Sequence, residues 1–386
     1  MALYFFCRRV DNIHSMFLTK LPGFGIIRYA ISTSIMVGAA PEYYAVWLGW
    51  RLFSIPLPAW LYQKVDDMLY STYQRLVLLF FEHGTGLKIY FYGDADEIFK
   101  KKENVLYISN HQSTVDWVAC NMVAVRQGSL GHLRFVMKDG LQWLPLYGHY
   151  FYQHGCIYVR RGQFRQDKMM RGLEYLQQER VQSWVAVFPE GTRYDPSKPE
   201  VIRRSEQTAL SSGFQPLKHH LTPKTKGSWL TLDRLRGSLE AVYDVTVVYE
   251  GSYRHRERRR ARTVALIDFL RGFCPAMHIH VRRIPISEVP TDEQEFQRWM
   301  YQLYEQKDRF VAPFYSPSDD SGAELAARLG GRPHPLPLTA TVPSLMAFAA
   351  LAVPLLGSEL GRRLYAGTLL YGTLAGYLWL GIRAVC

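Results

Sequence analysis

Paired cysteines are missing from this chain. Its five cysteines, Cys7, Cys120, Cys156, Cys274 and Cys386, are odd in number and widely scattered. No Cys-x-x-Cys pair and no Cys/His spacing of a zinc module occurs, so neither a disulfide framework nor a zinc fold is expected. A reducing compartment fits this pattern, with each cysteine a small buried hydrophobe. The opening residues, MALYFFCRRVDNIH, lack the basic, apolar and small-residue regions of a cleaved secretory peptide, and none is expected. No internal repeat, no Gly-x-Ser-x-Gly elbow and no activated nucleophile of the Ser-His-Asp kind is evident, so serine-type covalent chemistry finds no support.

What is present is basic and aromatic. The 386 residues suffice for two average domains, or for one domain with attachments. A hydrophobic share of 48% and a mean hydropathy of −0.13 are too polar for a protein built mainly of membrane spans. They are also too apolar for disorder. The net charge of +12 and pI near 9.4 call for anionic partners: phosphate-bearing substrates, acidic lipids or nucleic acid. The plainer alternative is a solvated basic surface near anionic membranes.

Texture divides the chain into four. Residues 1–83 read as an N-terminal membrane-anchoring helical region. Its run IIRYAISTSIMVGAAPEYYAVWLGWRLF is long enough to span, but Pro41-Glu42 interrupts it. A tilted span, a re-entrant hairpin of two half-helices and a monotopic anchor all fit. The next stretch reads as an amphipathic helix with Leu61, Val65, Leu69, Tyr73, Leu76 and Phe80 on one core-facing stripe, ended by Gly84 or Gly86. Residues 84–285 alternate strand-like runs (KIYFYG, VLYIS, LRFVM, CIYVR, WVAVF, DVTVVY, MHIHV) with helices near 114–126, 166–180 and 205–213. That alternation predicts an α/β fold, a mixed sheet flanked by helices. Residues 286–338 form a C-terminal extension, with a helix near 292–309 and a Gly/Pro-rich linker. Residues 339–386 hold two apolar segments around GSELGRR, expected as a membrane-embedded hairpin, with a soluble helical hairpin as the alternative. The flanking Lys and Arg do not fix a topology.

Three segments carry candidate chemistry. In NHQSTVDW, His111 and Asp116 stand five positions apart. Five helical steps rotate a side chain by about 140°, and an odd separation on a strand puts side chains on opposite faces. The two meet only if the chain turns between them. One reading is structural: Ser113 or Thr114 caps a helix, with Ser113-x-x-Asp116 as a capping box. The other is functional: Asp116 fixes the imidazole tautomer, leaving the second nitrogen free to take a proton from a substrate hydroxyl. A metal is not expected, because His-x4-Asp supplies only two ligands. In WVAVFPEGTRY, a strand runs into a tight turn at Pro189. Gly191 lets the backbone approach a ligand, and Thr192 and Arg193 suit a phosphate. A structural turn with an exposed ion pair is the alternative. Lys138, Arg160 and Arg161 sit where strands meet turns and aim positive charge at a common rim. His278 and His280 alternate on a strand and read as strand histidines before metal ligands. The run YRHRERRRAR (253–262) reads as a solvated loop near lipid headgroups, without the aromatic interleaving of a nucleic-acid platform.

In this order the pieces resemble the PlsC-like lysophospholipid acyltransferase family, which acylates glycerolipid phosphates from acyl-CoA. His111-x4-Asp116 matches its first motif, GCIYVR (Gly155 to Arg160) its second, FPEGTR (Phe188 to Arg193) its third and Pro223 in LKHHLTPKTKG its fourth. His-x4-Asp alone is weak; followed by FPEGTR about 80 residues later it is highly specific. The resemblance covers about residues 85–285. One position departs: Lys224 follows the proline where many members are apolar, on the acyl-chain side of the pocket. The resemblance implies a glycerolphosphate acyltransferase-like fold and direct attack on the acyl-CoA thioester, without an acyl-enzyme. His111 would be the general base on the sn-2 hydroxyl of lysophosphatidic acid and Asp116 its orienting partner. Glu190, Gly191, Thr192 and Arg193 would position the glycerol phosphate, helped by Lys138 and Arg160. It implies no cofactor and no metal, acyl-CoA as donor substrate, membrane lipids as partners and no nucleic acid, and nothing about oligomeric state. The endoplasmic reticulum membrane is the implied location, with the nuclear envelope or a mitochondrial membrane as alternatives. Another lysophospholipid, such as lysocardiolipin, is the alternative acceptor.

Overall fold

The run VLYIS explains the architecture. Val105, Leu106, Tyr107 and Ile108 are fully buried and Ser109 is 1% exposed. Side chains alternate across a strand, so a run buried at every position must be covered on both faces. Val105 and Tyr107 enter one hydrophobic core, Leu106 and Ile108 a second. The computed structural model describes residues 24–160, 165–178, 181–254, 257, 259–316 and 322–385. Cys7, Arg161, Cys386 and part of the 253–262 run lie outside the described residues.

The strands are β1 (Lys88–Gly93), β2 (Val105–Ser109), β3 (Leu133–Lys138), β4 (Ile157–Val159), β5 (Trp184–Val187), β6 (Ala241–Tyr249), β7 (Tyr253–Arg254), β8 (Arg259–Arg260), β9 (Ala276–Pro285) and β10 (Arg332–Pro333). Eight of them form one mixed sheet in the order β10-β1-β9-β6-β2-β5-β3-β4, and β7 pairs with β8. Strands β6, β2, β5, β3 and β4 are parallel, whereas β9 is antiparallel to β6. Strand β1 is parallel to β9, and β10 is antiparallel to β1. All seven runs read as strands belong to this sheet, and the α/β expectation holds.

Helices α1 (Phe24–Phe53), α2 (Ala59–Leu78), α3 (Asp116–Gln127) and α4 (Tyr147–Gln153) contribute to the first core. On the other face α5 (Gln166–Leu176) leads to α6 (Pro199–Ser211), α7 (Thr225–Leu235) and α8 (Glu293–Val311); α5, α7 and α8 supply the second core. Helices α9 (Val342–Gly357) and α10 (Glu359–Val385) return to the first face, bent by 110° at their junction. Helix α3 forms because Val118, Ala119, Met122 and Val123 recur at helical spacing and are fully buried. Gly128 ends it in the left-handed region (φ 81°), its N–H returning to the last turn.

Three expectations change. Helix α1 runs unbroken through Pro41, which sets aside the hairpin of two half-helices. An interior proline removes a hydrogen bond, but Ala39, Ala40, Tyr43, Tyr44 and Trp47 are buried around it, and that packing outweighs the loss. Helix α2 forms and reaches Gly84 through a π-turn at Leu79–His83; Tyr73 and Leu76 of the expected stripe are buried and Leu69 and Phe80 pack against the core, but Leu61 and Val65 are half-buried and Tyr62, Asp66, Tyr70 and Val77 join the buried face. Asp66 is tolerated in the core because His154 Nδ1 bonds it at 2.6 Å, with Arg134 Nη1 2.7 Å from the other ring nitrogen. The linker is partly ordered into the domain: Arg332–Pro333 adds an edge strand, and Arg126 Nε donates to the His334 carbonyl at 2.8 Å. A two-residue strand carries no periodicity to read. Helices α4 and α7 were also not legible.

Two helical elements stand out by their surface. Ile26, Ile27, Ile31, Val37 and Leu52 on α1 are more than half exposed, as are Leu360, Leu364, Leu370, Leu374, Leu378 and Ile382 on α10. Helix α1 is long and apolar enough to cross a membrane, and α9 with α10 passes the same test only as one bent pair. Tyr365 of α10 donates to the Gly38 carbonyl of α1 at 2.8 Å.

Because Ile108 is fully buried in the second core, Ile108→Ala is expected to lower the unfolding free energy by about 2–5 kcal/mol. Denaturant titration of the detergent-solubilised chain reads this; a loss well under 1 kcal/mol on the same scale contradicts the central placement of β2.

Candidate active site

The site starts where β2 leaves the sheet. The Asn110 side chain continues the strand: its Oδ1 accepts from Val247 N at 2.8 Å and its Nδ2 donates to Val247 O at 3.0 Å, both on β6. Nδ2 also lies 3.2 Å from His220 Nε2, while His220 Nδ1 bonds Asp308 at 2.9 Å. Burial pushes His220 down to about 4, so near neutrality its Nε2 accepts and its Nδ1 donates.

Past Asn110 the chain turns, and the turn closes on one carboxylate. Asp116 Oδ2 lies 2.7 Å from His111 Nδ1, and accepts from Gln112 N at 2.7 Å and Ser113 N at 3.0 Å. Its Oδ1 accepts from Tyr249 Oη at 2.6 Å. Asp116 is 2% exposed and opens α3, where the helix dipole favours negative charge. The bond to Ser113 N is the reach-back half of a capping box. Ser113 Oγ instead accepts from Val115 N at 3.2 Å and donates to Val264 O at 2.5 Å, and Thr114 Oγ1 accepts from Leu266 N at 2.8 Å. The structural and functional readings of this segment therefore share one carboxylate. An imidazole that donates through Nδ1 presents a lone pair at Nε2. His111 Nε2 has no hydrogen-bond partner among the described residues, the side chain is 19% exposed, and its ring lies 4.9 Å from that of Phe188.

Strand β5 is the neighbour of β2, so its end meets the same turn. Glu190 is 1% exposed: Oε1 accepts from His111 N at 2.7 Å and Oε2 from Leu221 N at 2.9 Å. Burial pushes it up to about 8, against the two N–H bonds that pull it down. Its carboxyl braces the His111 loop to the segment at Leu221, and Tyr194 N closes the other side on His111 O at 2.9 Å. The alternative of an exposed ion pair in this turn is not what forms. Gly191 takes φ 67°, a conformation suited to glycine, beneath the Lys224 side chain. Thr192 and Arg193 are half-buried, with no side-chain hydrogen bond or ion pair among the described residues.

Lys138 and Arg160 are exposed at the ends of β3 and β4, on the same rim. At roughly 4.8 Å between strands they lie about 10 and 14 Å along the sheet from β2. Thus His111, Asp116 and Glu190 to Arg193 form one cluster, and Lys138 and Arg160 extend it sideways.

Asn110, Tyr249, His220 and Asp308 carry no signal in the sequence, because their partners are distant in the chain. Arg260 corrects the reading of 253–262 as wholly solvated. Its guanidinium lies 4.0 Å from the ring centres of both Tyr194 and Tyr315, donates to His219 O at 2.8 Å and bonds Gln112 Oε1. His278 is a fully buried core histidine with both nitrogens engaged, by Tyr92 at 2.7 Å and Glu250 at 3.1 Å. Asp66, Asp67 and His154 have ligand-like spacing, but the Arg134 guanidinium fills that place, 2.7 Å from Asp67 and from His154.

Two family descriptions match the chain: Acyltransferase over residues 92–250 and Acyltransferase C-terminus over residues 268–338. The protein is an enzyme of the acyltransferase class. It is 42% identical over 365 residues to 1-acyl-sn-glycerol-3-phosphate acyltransferase epsilon of Mus musculus, covering 93% of this chain and 97% of that protein. It is 32% identical over 268 residues to probable 1-acyl-sn-glycerol-3-phosphate acyltransferase 5 of Arabidopsis thaliana, covering 69% and 66%. The crystal structure of the LPA acyltransferase PlsC from Thermotoga maritima aligns with 77% of this chain and 100% of its own, at 16% identity and a TM-score of 0.41. The chain belongs to the 1-acyl-sn-glycerol-3-phosphate acyltransferase family.

Glu190 holds its proton in the fold over the window from pH 4.5, its ordinary value, to about pH 8. Its contribution to stability is therefore full below that window and is lost as pH rises through it. Glu190→Gln removes this slope. Denaturation of both proteins across the window should give a wild-type minus variant difference that falls with pH; a difference that rises with pH contradicts the raised value.

Proposed function

We propose that the protein transfers the acyl group of acyl-CoA to the sn-2 hydroxyl of lysophosphatidic acid, giving phosphatidic acid and CoA. His111 Nε2 takes the hydroxyl proton as the oxygen attacks the thioester carbonyl. The carbon–sulfur bond breaks as the new ester forms, and the proton returns from Nε2 to the departing thiolate, so no acyl-enzyme arises. Asp116 holds the tautomer and steadies the imidazolium that forms between the two transfers. The observation that carries this reading is the 2.7 Å bond from Nδ1 to a carboxylate fixed by three further donors, with Nε2 left open.

Thr192 and Arg193 stand beside His111 with free donors and suit the acceptor phosphate, and Lys138 and Arg160 add positive charge along the rim. A membrane setting fits the acceptor. The turn after Lys138 exposes Leu141, Trp143 and Leu144, and Tyr377 of the apolar α10 donates to the Trp143 carbonyl at 3.1 Å. The charged rim therefore adjoins the apolar helices, where a lipid phosphate and its chain are both accommodated. The membrane we propose is that of the endoplasmic reticulum, as the sequence resemblance implies.

His111→Ala, at normal expression, is expected to lower kcat by about 10²–10⁴-fold; near-wild-type transfer removes the base assignment. Arg193→Ala is expected to raise the acceptor KM with kcat little changed, and an unchanged KM contradicts its phosphate role. Microsomes given one labelled acyl-CoA and a panel of lysolipids should acylate lysophosphatidic acid fastest; preference for lysocardiolipin reassigns the acceptor and leaves the chemistry.

A further inference from the structure

Between α6, the segment 221–226 and α8 lies a groove of about 480 Å³ that meets the proposed acceptor subsite at Thr192 and otherwise lies outside it. Glu190 and Thr192 belong to its wall, so it begins at the turn that braces His111. Three cations line it, Arg204, Lys224 and Lys226, all exposed and none ion-paired among the described residues. Lys224 is fixed at the junction: its N–H donates to the Pro189 carbonyl at 2.8 Å, and its side chain covers Gly191. Helix α7 opens here at Thr225 with no side-chain cap, so its first N–H groups face the same anion-binding task.

An aromatic wall accompanies the cations. Phe214 and Tyr301 form the apolar part of the wall, their rings stacked with centroids 4.1 Å apart and planes at 10°. Tyr301 is 4% exposed, and its hydroxyl is buried without a hydrogen-bond partner. The groove size lies within the range of small-molecule sites. Its stacked rings belong to the second core, on the sheet face opposite α1 and α9. An acyl chain in this place would take three cations out of water and pair none of them.

We propose that this groove binds the phosphorylated nucleotide end of the acyl donor, touching the acceptor-phosphate subsite only at Thr192. The assignment rests on the acyl-CoA reading above. Coenzyme A carries a diphosphate and a 3′-phosphate on an adenosine: a polyanion for Arg204, Lys224, Lys226 and the α7 N-terminus, with a flat aromatic base for the Phe214–Tyr301 wall. The thioester arm then runs past Lys224 and Gly191 toward His111. Lysine at position 224, where the resemblance would put an apolar residue, follows from this use.

The test uses full-length protein in detergent, with CoA itself as the binding probe and 3′,5′-ADP as competitor. Lys224→Gln/Lys226→Gln is expected to weaken CoA binding and raise the acyl-CoA KM about tenfold or more. Arg204→Gln should shift both in the same direction, with the lysophosphatidic acid KM and kcat within about twofold of wild type. 3′,5′-ADP should compete with CoA. A raised acceptor KM with CoA binding unmoved overturns the proposal in favour of a lipid phosphate. A changed acyl-length preference with CoA binding unmoved overturns it in favour of an acyl channel. If the wild type consumes acyl-CoA but no variant alters CoA binding, the groove assignment alone falls. If the wild type neither binds CoA nor consumes acyl-CoA with any lysolipid, the donor reading falls and the groove assignment with it. A double variant that does not fold, judged by its circular dichroism, is replaced by Arg204→Gln and Lys226→Gln singly.

Discussion

One buried carboxylate sets the shape of everything near it. Asp116 is 2% exposed, and a carboxylate so placed is costly unless its lone pairs are used. Four donors use them: the His111 ring, the backbone of Gln112 and Ser113, and the Tyr249 hydroxyl. Two come from the turn itself, so the turn has one shape. One comes from β6, two strands from β5, so the turn has one place on the sheet. The imidazole is oriented as a consequence of satisfying that charge. Glu190 acts from the other side as a buried hydrogen-bond acceptor, its oxygens divided between His111 N and Leu221 N. Since Tyr194 N also takes the His111 carbonyl, both backbone polar groups of this residue are bonded, and the open hydrogen-bonding atom is Nε2.

The parallel pairing of β6, β2, β5, β3 and β4 converts separate sequence motifs into neighbours. Parallel strands bring their C-terminal ends to one rim, and polar groups just beyond those ends share a crevice. FPEGTR follows β5 and NHQSTVDW follows β2, one strand apart, although about 80 residues separate them in the chain. Lys138 and Arg160 reach the same rim from β3 and β4. The sheet also separates two environments. Apolar helices α1, α9 and α10 lie on one side, and the cation-lined groove with its Phe214–Tyr301 wall lies on the other.

Much of this was legible for stated reasons. Seven strands were readable because each is a short apolar run bounded by Gly, Pro or charge, and the His111–Asp116 contact because a five-residue gap demands a turn. The burial of Glu190 was not, because an acid between Pro189 and Gly191 has the local pattern of a surface turn; the N–H at Leu221 that rewards its burial lies 31 positions on. Arg260 was hidden likewise: one charge in a run of arginines gives no hint that Tyr194 and Tyr315 flank it. Asp66 broke the amphipathic stripe of α2 because a histidine 88 positions away turns a charged residue into a core residue. Each miss is a polar residue whose burial is decided by a partner distant in sequence.

The exposure of His111 fits the proposed chemistry as a compromise between two demands. A proton acceptor must be reached by a substrate hydroxyl, yet its orienting carboxylate works best away from water, where a hydrogen bond is electrostatically stronger. At 19% and 2% exposure the two side chains divide these demands, with Phe188 shielding the imidazole plane. The two proposed substrates divide the surroundings in the same way. A lipid acceptor approaches along the rim that adjoins the apolar helices, and a polyanionic donor lies in the groove on the other side of the FPEGTR turn. Only the reacting ends then need to meet, at Nε2. The turn between them is the element both depend on, which accounts for its being held by Glu190 within and by Lys224 above.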